Sequence, residues 1–218
     1  MGVITDNLDL WGEALLGTLQ LFFGGGLVAL ILGTIVGAMR VSPVPIARAV
    51  GTFYVNTIRN TPLTLVFFGF AFALPPLIEV RASGPAAMGF AIAALGVYTA
   101  TYVAETIRSG INTVPVGQAE AARAIGLTFG QVMSLVVLPQ AFRSVIPPMM
   151  SVFIALLKNT TVAAGFSVLN LGSMRDWLSE RGENQLLVIV WVMVIFVALV
   201  MLLSWVQRNL EKRWTVAR

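Results

Sequence analysis

Three ionisable side chains lie inside runs of this sequence that are otherwise apolar: Arg59, Glu105 and Lys158. Three polar residues follow the last of these directly: Asn159, Thr160 and Thr161. A charge in an apolar, membrane-like segment costs free energy, so each one is a functional candidate. The guanidinium of Arg59 offers a planar fork for a carboxylate, and the ammonium of Lys158 offers a point charge. These residue types indicate the binding of a charged solute.

The composition removes the usual routes to catalysis. The chain has no histidine and no cysteine, which excludes disulfides, thiolate chemistry and the commonest general base and metal ligand. It also lacks a cluster of carboxylates and a G-x-x-x-x-G-K-[ST] phosphate loop. We therefore expect no catalytic residue, no metal site and no cofactor in this chain, and we do not expect it to be an enzyme.

Each of the three charged residues has two interpretations. Arg59 and Lys158 could hold substrate carboxylates, or they could form structural ion pairs or contact helix-end carbonyls. Both are expected at a similar depth, near the middle of a membrane. Glu105 could accept a substrate ammonium, but a structural pair with Arg108 or Arg59 is favoured. An unwound turn near 159–161 is also expected, because prolines precede this segment and Gly165 follows it.

The composition indicates which elements must position these residues. Of the 218 residues, 57% are hydrophobic and only 11% are charged, with a mean hydropathy of +0.87. A soluble domain carries about 25% charged residues. The chain is therefore expected to be an all-α integral membrane protein, with residues 1–218 forming a single domain.

Five segments are long and apolar enough to cross a membrane as helices. We predict spans over about residues 15–39, 51–74, 86–107, 145–166 and 186–206. Prolines within 42–45 separate the first two spans, and Pro75-Pro76 ends the second. In the first span, Gly33 and Gly37 favour close helix packing within the chain.

The distribution of Lys and Arg predicts the orientation. The N-terminal residues carry three acidic side chains and no basic one, unlike a signal peptide, so no cleaved segment is expected. With the N-terminus outside, the basic C-terminal tail 208–218 and five internal arginines lie inside: Arg40, Arg48, Arg108, Arg123 and Arg143. Only three arginines fall outside: Arg81, Arg175 and Arg181. This asymmetry follows the positive-inside rule and explains the pI near 10.1 without nucleic acid as a partner.

A modestly polar segment, 113–138, lies between the third and fourth spans on the predicted inner side. Pro115 suits the first turn of a helix, and Gly126 suits its left-handed end. Thr128 and Gln131 form a capping pattern that begins a second helix. The pattern predicts two short helices joined at a sharp corner, which could dock as a rigid knob in a soluble subunit. The alternative is an amphipathic loop helix lying on the membrane.

The landmarks of this segment have a characteristic spacing: Glu120, Ala121, Ala122, Gly126, Leu138 and Pro139. They resemble the EAA loop of bacterial ABC importer permeases, E-A-A-x-x-x-G followed by nine residues and I-x-L-P, with Val136 in place of Ile. Further segments resemble polar amino-acid permeases: 59–63 (RNTPL), 98–111 (YTATYVAETIRSGI), 138–143 (LPQAFR) and 154–161 (IALLKNTT). The likeness covers roughly residues 15–210 and is strongest to glutamate uptake permeases.

The resemblance implies the transmembrane domain of a type I ABC importer in a bacterial cell membrane. Two permease subunits, usually a pair of related chains, would form the path for the amino acid. Two cytoplasmic ATPase subunits, which hold ATP and Mg²⁺, would drive it, and an extracellular binding protein would deliver the substrate. Glutamine, aspartate or a basic amino acid are alternative substrates. A stand-alone channel or secondary transporter is a further alternative, in which the corner would have no purpose.

Overall fold

The computed structural model describes residues 2–214, and every regular element in that range is helical. The helices are α1 (Gly2–Thr5), α2 (Leu8–Val41), α3 (Pro45–Arg59), α4 (Leu63–Leu77), α5 (Pro85–Asn112), α6 (Val116–Ala124), α7 (Phe129–Phe166), α8 (Met174–Glu180) and α9 (Gln185–Trp214). Four of them, α2, α5, α7 and α9, are long and apolar enough to cross a membrane. The last four residues of the predicted basic tail, 215–218, lie outside the described residues.

The second predicted span is broken rather than continuous. Helices α3 and α4 meet at a bend of 102° across Asn60, Thr61 and Pro62. Pro62 has no N–H to donate and disfavours helical geometry at Thr61, so the helix ends before it and restarts after it. The pair counts as a fifth span only if both halves together cross the membrane. The single span predicted over about 51–74 is therefore divided between the end of α3 and α4.

The fourth predicted span begins much earlier than residue 145. Helix α7 runs without interruption from Phe129, and its interior contains Pro147 and Pro148. Residues Val132–Val137 form a wide π-helical turn directly before Leu138 and Pro139. A wide turn gives the proline ring room where a regular α-helix would clash. The second helix of the predicted corner is therefore the first part of a spanning helix, not a short separate one.

Helices α2 and α5 form the centre of the molecule. They approach closely because glycines face the partner helix: a Cβ on Gly33 would lie 2.5 Å from Val103 Cβ, and one on Gly96 would lie 2.4 Å from Val28 Cγ1. The predicted use of Gly33 for packing within the chain is confirmed. Leu21 and Leu95 are fully buried in this core, which α7 completes with Leu156.

The predicted outer end is closed by the N-terminal residues and the segment after α7. Asn7 accepts a hydrogen bond from Arg181 at 2.8 Å and donates one to Glu183 at 2.9 Å. The Thr18 hydroxyl accepts from the Leu171 N–H at 2.9 Å. The segment after α7 thus contains a folded turn and α8, both packed against α2.

Candidate translocation path and coupling corner

The corner between α6 and α7 has the local chemistry that the sequence predicts. Gly126 has φ +91°, the left-handed conformation that glycine adopts most readily. The Thr128 N–H donates to Gln131 Oε1 at 2.9 Å, and the Gln131 N–H donates to Thr128 Oγ1 at 3.4 Å. This reciprocal pair is a capping box, so the predicted cap is confirmed. Pro115 precedes the first residue of α6 and lies at its cap.

The corner has its own small core. Ala122 from α6 is buried against Val132 and Val137 from the start of α7. On the outside, Ile125 and Phe129 remain 80% and 67% exposed. Because these side chains are buried against one another, the corner is rigid. Its exposed apolar side chains give it a surface suited to a protein partner.

The other landmarks of this segment fall in two places. Glu120 and Ala121 are exposed on α6, whereas Leu138 and Pro139 are exposed on α7 just beyond the π-helical turn. A hydrogen bond from Gln140 Nε2 to Gln118 Oε1 joins the two helices near them. Gly126 is itself exposed, and a Cβ on it would meet nothing within 4 Å. The left-handed geometry that the sequence predicts for Gly126 is therefore confirmed, and the position is open on its outer side.

Glu105 holds two arginines at the predicted inner end of α5. Its carboxylate pairs with Arg40 from α2 and accepts from Arg108 Nη2 at 2.6 Å. The predicted pair with Arg108 is confirmed. Arg59 is not its partner, and Arg40, which sequence reasoning missed, takes that place. Arg40 ends the first span in the sequence, and only the packing of α2 on α5 brings it to Glu105.

Lys158 lies where α7 changes its geometry. The α-helical part ends at Asn159, and Thr160–Phe166 continue as a 3₁₀ helix. The helix is therefore irregular at this point, but it is wound more tightly instead of unwound as expected. Lys158 is exposed, and among residues 2–214 it has no ion-pair partner. Thr161 is also exposed, with its hydroxyl donating to the Lys158 carbonyl at 2.8 Å. Thr160 instead is fully buried, and its hydroxyl donates to the Leu157 carbonyl at 2.7 Å.

Arg59 occupies the end of α3, at the bend before Pro62. Its side chain is exposed, and within the described range it too forms no ion pair. Leu63, just past the bend, and Leu157, beside Lys158, pack in the same hydrophobic cluster. The two cations therefore border the same core, and no ion pair or hydrogen bond in the described part of the chain joins them.

A cavity of about 410 Å³, whose largely apolar lining includes several polar side chains, lies between α5 and α7. Asn159 and Ser151 from α7 face Tyr98 and Tyr102 from α5 across it. The two tyrosine hydroxyls are 3.0 Å apart, and the buried Thr99 hydroxyl, also in the lining, has no hydrogen-bond partner. Of these residues, sequence reasoning singled out only Asn159, although the tyrosines at i and i+4 within an apolar span were a usable signal for the others.

Comparison with known proteins places these features in one family. Residues 29–216 match the family described as binding-protein-dependent transport system inner membrane component. The glutamate transport system permease of Corynebacterium efficiens is 43% identical, covering 86% of this chain and 84% of that protein. The probable glutamine ABC transporter permease GlnM of Bacillus subtilis is 34% identical, covering 98% and 97%.

Solved structures agree with this assignment. A crystal structure of an amino acid ABC transporter with histidines matches with a TM-score of 0.89 and 25% identity, covering 96% of both chains. An inward-facing MetNI methionine ABC transporter matches in fold, with a TM-score of 0.79 and 21% identity over 96% of this chain and 98% of that one. The chain therefore belongs to the family of binding-protein-dependent transport system inner membrane components, as the permease subunit of an ABC importer.

Proposed function

We propose that this permease carries glutamate and that Lys158 binds a substrate carboxylate near the middle of the membrane. One observation carries the proposal: Lys158 is exposed, has no ion-pair partner within residues 2–214, and directly precedes Asn159, which lines a cavity in this strongly apolar chain. An unpaired charge is costly within a membrane, so a substrate anion or a water-filled path is its natural surrounding. The substrates named for the more similar relatives support the same choice.

The cavity residues would hold the rest of the substrate. The Asn159 amide, Ser151 and the tyrosine pair offer donors and acceptors for the amino group and for a second carboxylate. Arg59 would supply a second cation from the bend between α3 and α4. Glu105 is held by two arginines, which favours a structural role over contact with the substrate ammonium.

The corner around Gly126 would couple the permease to ATP hydrolysis. Exposed Ile125 and Phe129 form an apolar tip on a firm base, a shape suited to a groove in a cytoplasmic ATPase subunit. The assembly would contain two such ATPase subunits, which bind ATP and Mg²⁺, a second permease chain of related sequence, and an extracellular substrate-binding protein. The chain would run with its N-terminus outside and its C-terminus in the cytoplasm of a bacterial cell.

Glutamine is the second candidate substrate. It shares the backbone charges of glutamate and replaces one carboxylate by an amide, which Asn159 and the tyrosine hydroxyls could also bind. A stand-alone channel or secondary transporter is disfavoured, because the folded corner with its exposed apolar tip would then have no subunit to bind.

Uptake by the assembled transporter tests this function. Purified complex in proteoliposomes, with ATP inside and the binding protein outside, should accumulate labelled glutamate only when ATP is hydrolysed. Unlabelled glutamate should compete better than glutamine, aspartate or arginine. Accumulation of glutamine or arginine without glutamate would contradict the proposed substrate, and accumulation without ATP hydrolysis would contradict the coupling.

A further inference from the structure

Helix α3 carries a polar face in the predicted inner half of the membrane. Arg48, Thr52, Asn56 and Arg59 recur at intervals of three and four residues, so they lie on one side of the helix. The opposite side carries exposed apolar residues, including Ile46 at 76% and Val50 at 53%. Since polar side chains avoid lipid, this face borders either protein or water.

A cavity of about 590 Å³ opens beside this face. Thr52 and Asn56 line one wall together with the apolar Ala49 and Phe53. Three arginines surround the space: Arg40, Arg48 and Arg108. They come from three different helices, α2, α3 and α5, which meet here because α3 packs back onto the α2–α5 pair. The cavity is large enough for a small amino acid together with water molecules.

The charges around this cavity do not balance. Glu105 pairs with Arg40 and Arg108, so one carboxylate serves two guanidinium groups. Arg48 binds only the backbone carbonyls of Ser42 and Pro43, at 2.9 and 3.2 Å. Three cations thus face one anion within the described part of the chain, and the site favours a second anion.

Unused hydrogen-bond donors point the same way. Only 10% of the Arg40 side chain is exposed. Its Nε–H and that of Arg108 have no hydrogen-bond acceptor among the described residues. A buried donor left without a partner costs free energy. These two atoms are closed off from solvent, so they add to the positive charge around the cavity without contacting its contents.

We propose that Arg40, Arg48 and Arg108 form a second carboxylate site, which receives the anionic amino acid on its way from the mid-membrane site to the cytoplasm. The inference rests on the proposed function. The polar face of α3 connects the two sites, since Arg59 stands at its upper end and Arg48 at its lower end. Glu105 acts as an internal counter-ion that keeps the site from holding the substrate too tightly for release.

An anionic phospholipid headgroup has the same oxyanion chemistry, and basic cavities between helices on the cytoplasmic side do bind such headgroups. The direction of the polar face favours the substrate. Phe53 gives the cavity an apolar side that an acyl chain could contact, but Thr52 and Asn56 continue from the cavity toward the bend at Arg59.

The test uses the complete transporter in proteoliposomes with the variants Arg48→Gln and Arg48→Lys. Arg48 is exposed and outside the Glu105 pairs, so its replacement should leave the chain folded. Arg208→Gln, an exposed arginine on α9, is the matched control. We expect Arg48→Gln to lower the maximal glutamate uptake rate at least fivefold with little change in KM. Arg48→Lys should keep more than half of the rate, and the control should match the wild type.

Two lipid mixtures separate the two sources of the anion. The defect of Arg48→Gln should be equal in pure phosphatidylcholine and in phosphatidylcholine with phosphatidylglycerol. A defect seen only with phosphatidylglycerol would overturn the substrate assignment in favour of a lipid site. Wild-type uptake by Arg48→Gln would overturn it as well. If the wild type carries no glutamate, the proposed function fails first, which distinguishes that failure from failure of this site alone.

Discussion

Glu105 on α5 pairs with Arg40 at the end of α2, and only 10% of the arginine side chain stays exposed. The pair joins α2 and α5, the two central helices, at their predicted inner end. Glu105→Gln would leave Arg40 largely buried without its counter-charge. Because the carboxylate is 28% exposed, we expect a moderate loss of about 1–3 kcal/mol in stability.

Thermal unfolding of the purified complex would measure this loss. Glu180→Gln, an exposed carboxylate in α8, is the control and should unfold at the wild-type temperature. In a double-mutant cycle, adding Arg40→Gln to Glu105→Gln should cost less than Arg40→Gln alone costs in the wild type. Strict additivity would show that the two side chains do not interact.

We expect substitutions at the tip of the corner to disturb its contact with the proposed ATPase subunit. Gly126→Asp adds a side chain at φ +91°, which strains the backbone, and puts a charge beside the exposed Ile125. We expect a large drop in copurified ATPase and in uptake, with normal membrane insertion. Gly182→Asp is the matched control, because Gly182 also has a positive φ, of +77°, and open space around it.

An equal effect of both variants on ATPase copurification would attribute the change to backbone strain in general. Unchanged copurification in Gly126→Asp would remove the corner from the ATPase contact altogether.

Close packing of α2 on α5 predicts a sharp difference between two glycines of the same helix. In Gly33→Ala the new methyl group would lie 2.5 Å from Val103 Cβ and 2.8 Å from the Ala100 carbonyl, so the helices must separate. We expect a loss of about 1–3 kcal/mol in stability. Gly12→Ala meets nothing within 4 Å and should be neutral or slightly stabilising. Similar unfolding temperatures for the two variants would contradict the packing described here.

Local chemistry was the part of the fold that sequence reasoning predicted well. The capping box at Thr128, the left-handed Gly126 and the irregular turn after Lys158 all depend on neighbouring residues, and the structure contains each of them. The bend at Pro62 was also local, but an apolar run of the right length concealed it. Apolarity sets the length of a span and says nothing of whether the helix is straight.

Contacts between helices could not be predicted from the sequence. Arg40 and Glu105 are 65 positions apart in the sequence, and their pairing depends on how α2 packs against α5. The cavity between α5 and α7 arises in the same way, from Tyr98 and Asn159 meeting across a helix interface. A single sequence gives the periodicity of each helix, but the relative rotation of two helices follows from packing that only the folded chain reveals.

The predicted orientation can be tested on a background free of thiols, because the natural chain has no cysteine. A membrane-impermeant maleimide should label Glu180→Cys in intact cells, since α8 is expected outside. It should label Lys212→Cys, near the end of α9, only after the cells are opened. The reverse pattern would invert the topology and move the Gly126 corner away from the cytoplasm.

Glutamate uptake by Lys158→Met is the most direct test of the central claim. Methionine keeps the length of the side chain and removes its charge, so uptake should fall at least tenfold while assembly and basal ATPase activity persist. Lys158→Arg should retain part of the activity because it keeps the charge. Lys212→Met, at the other lysine of the chain, should transport like the wild type. Wild-type glutamate uptake by Lys158→Met would contradict the account.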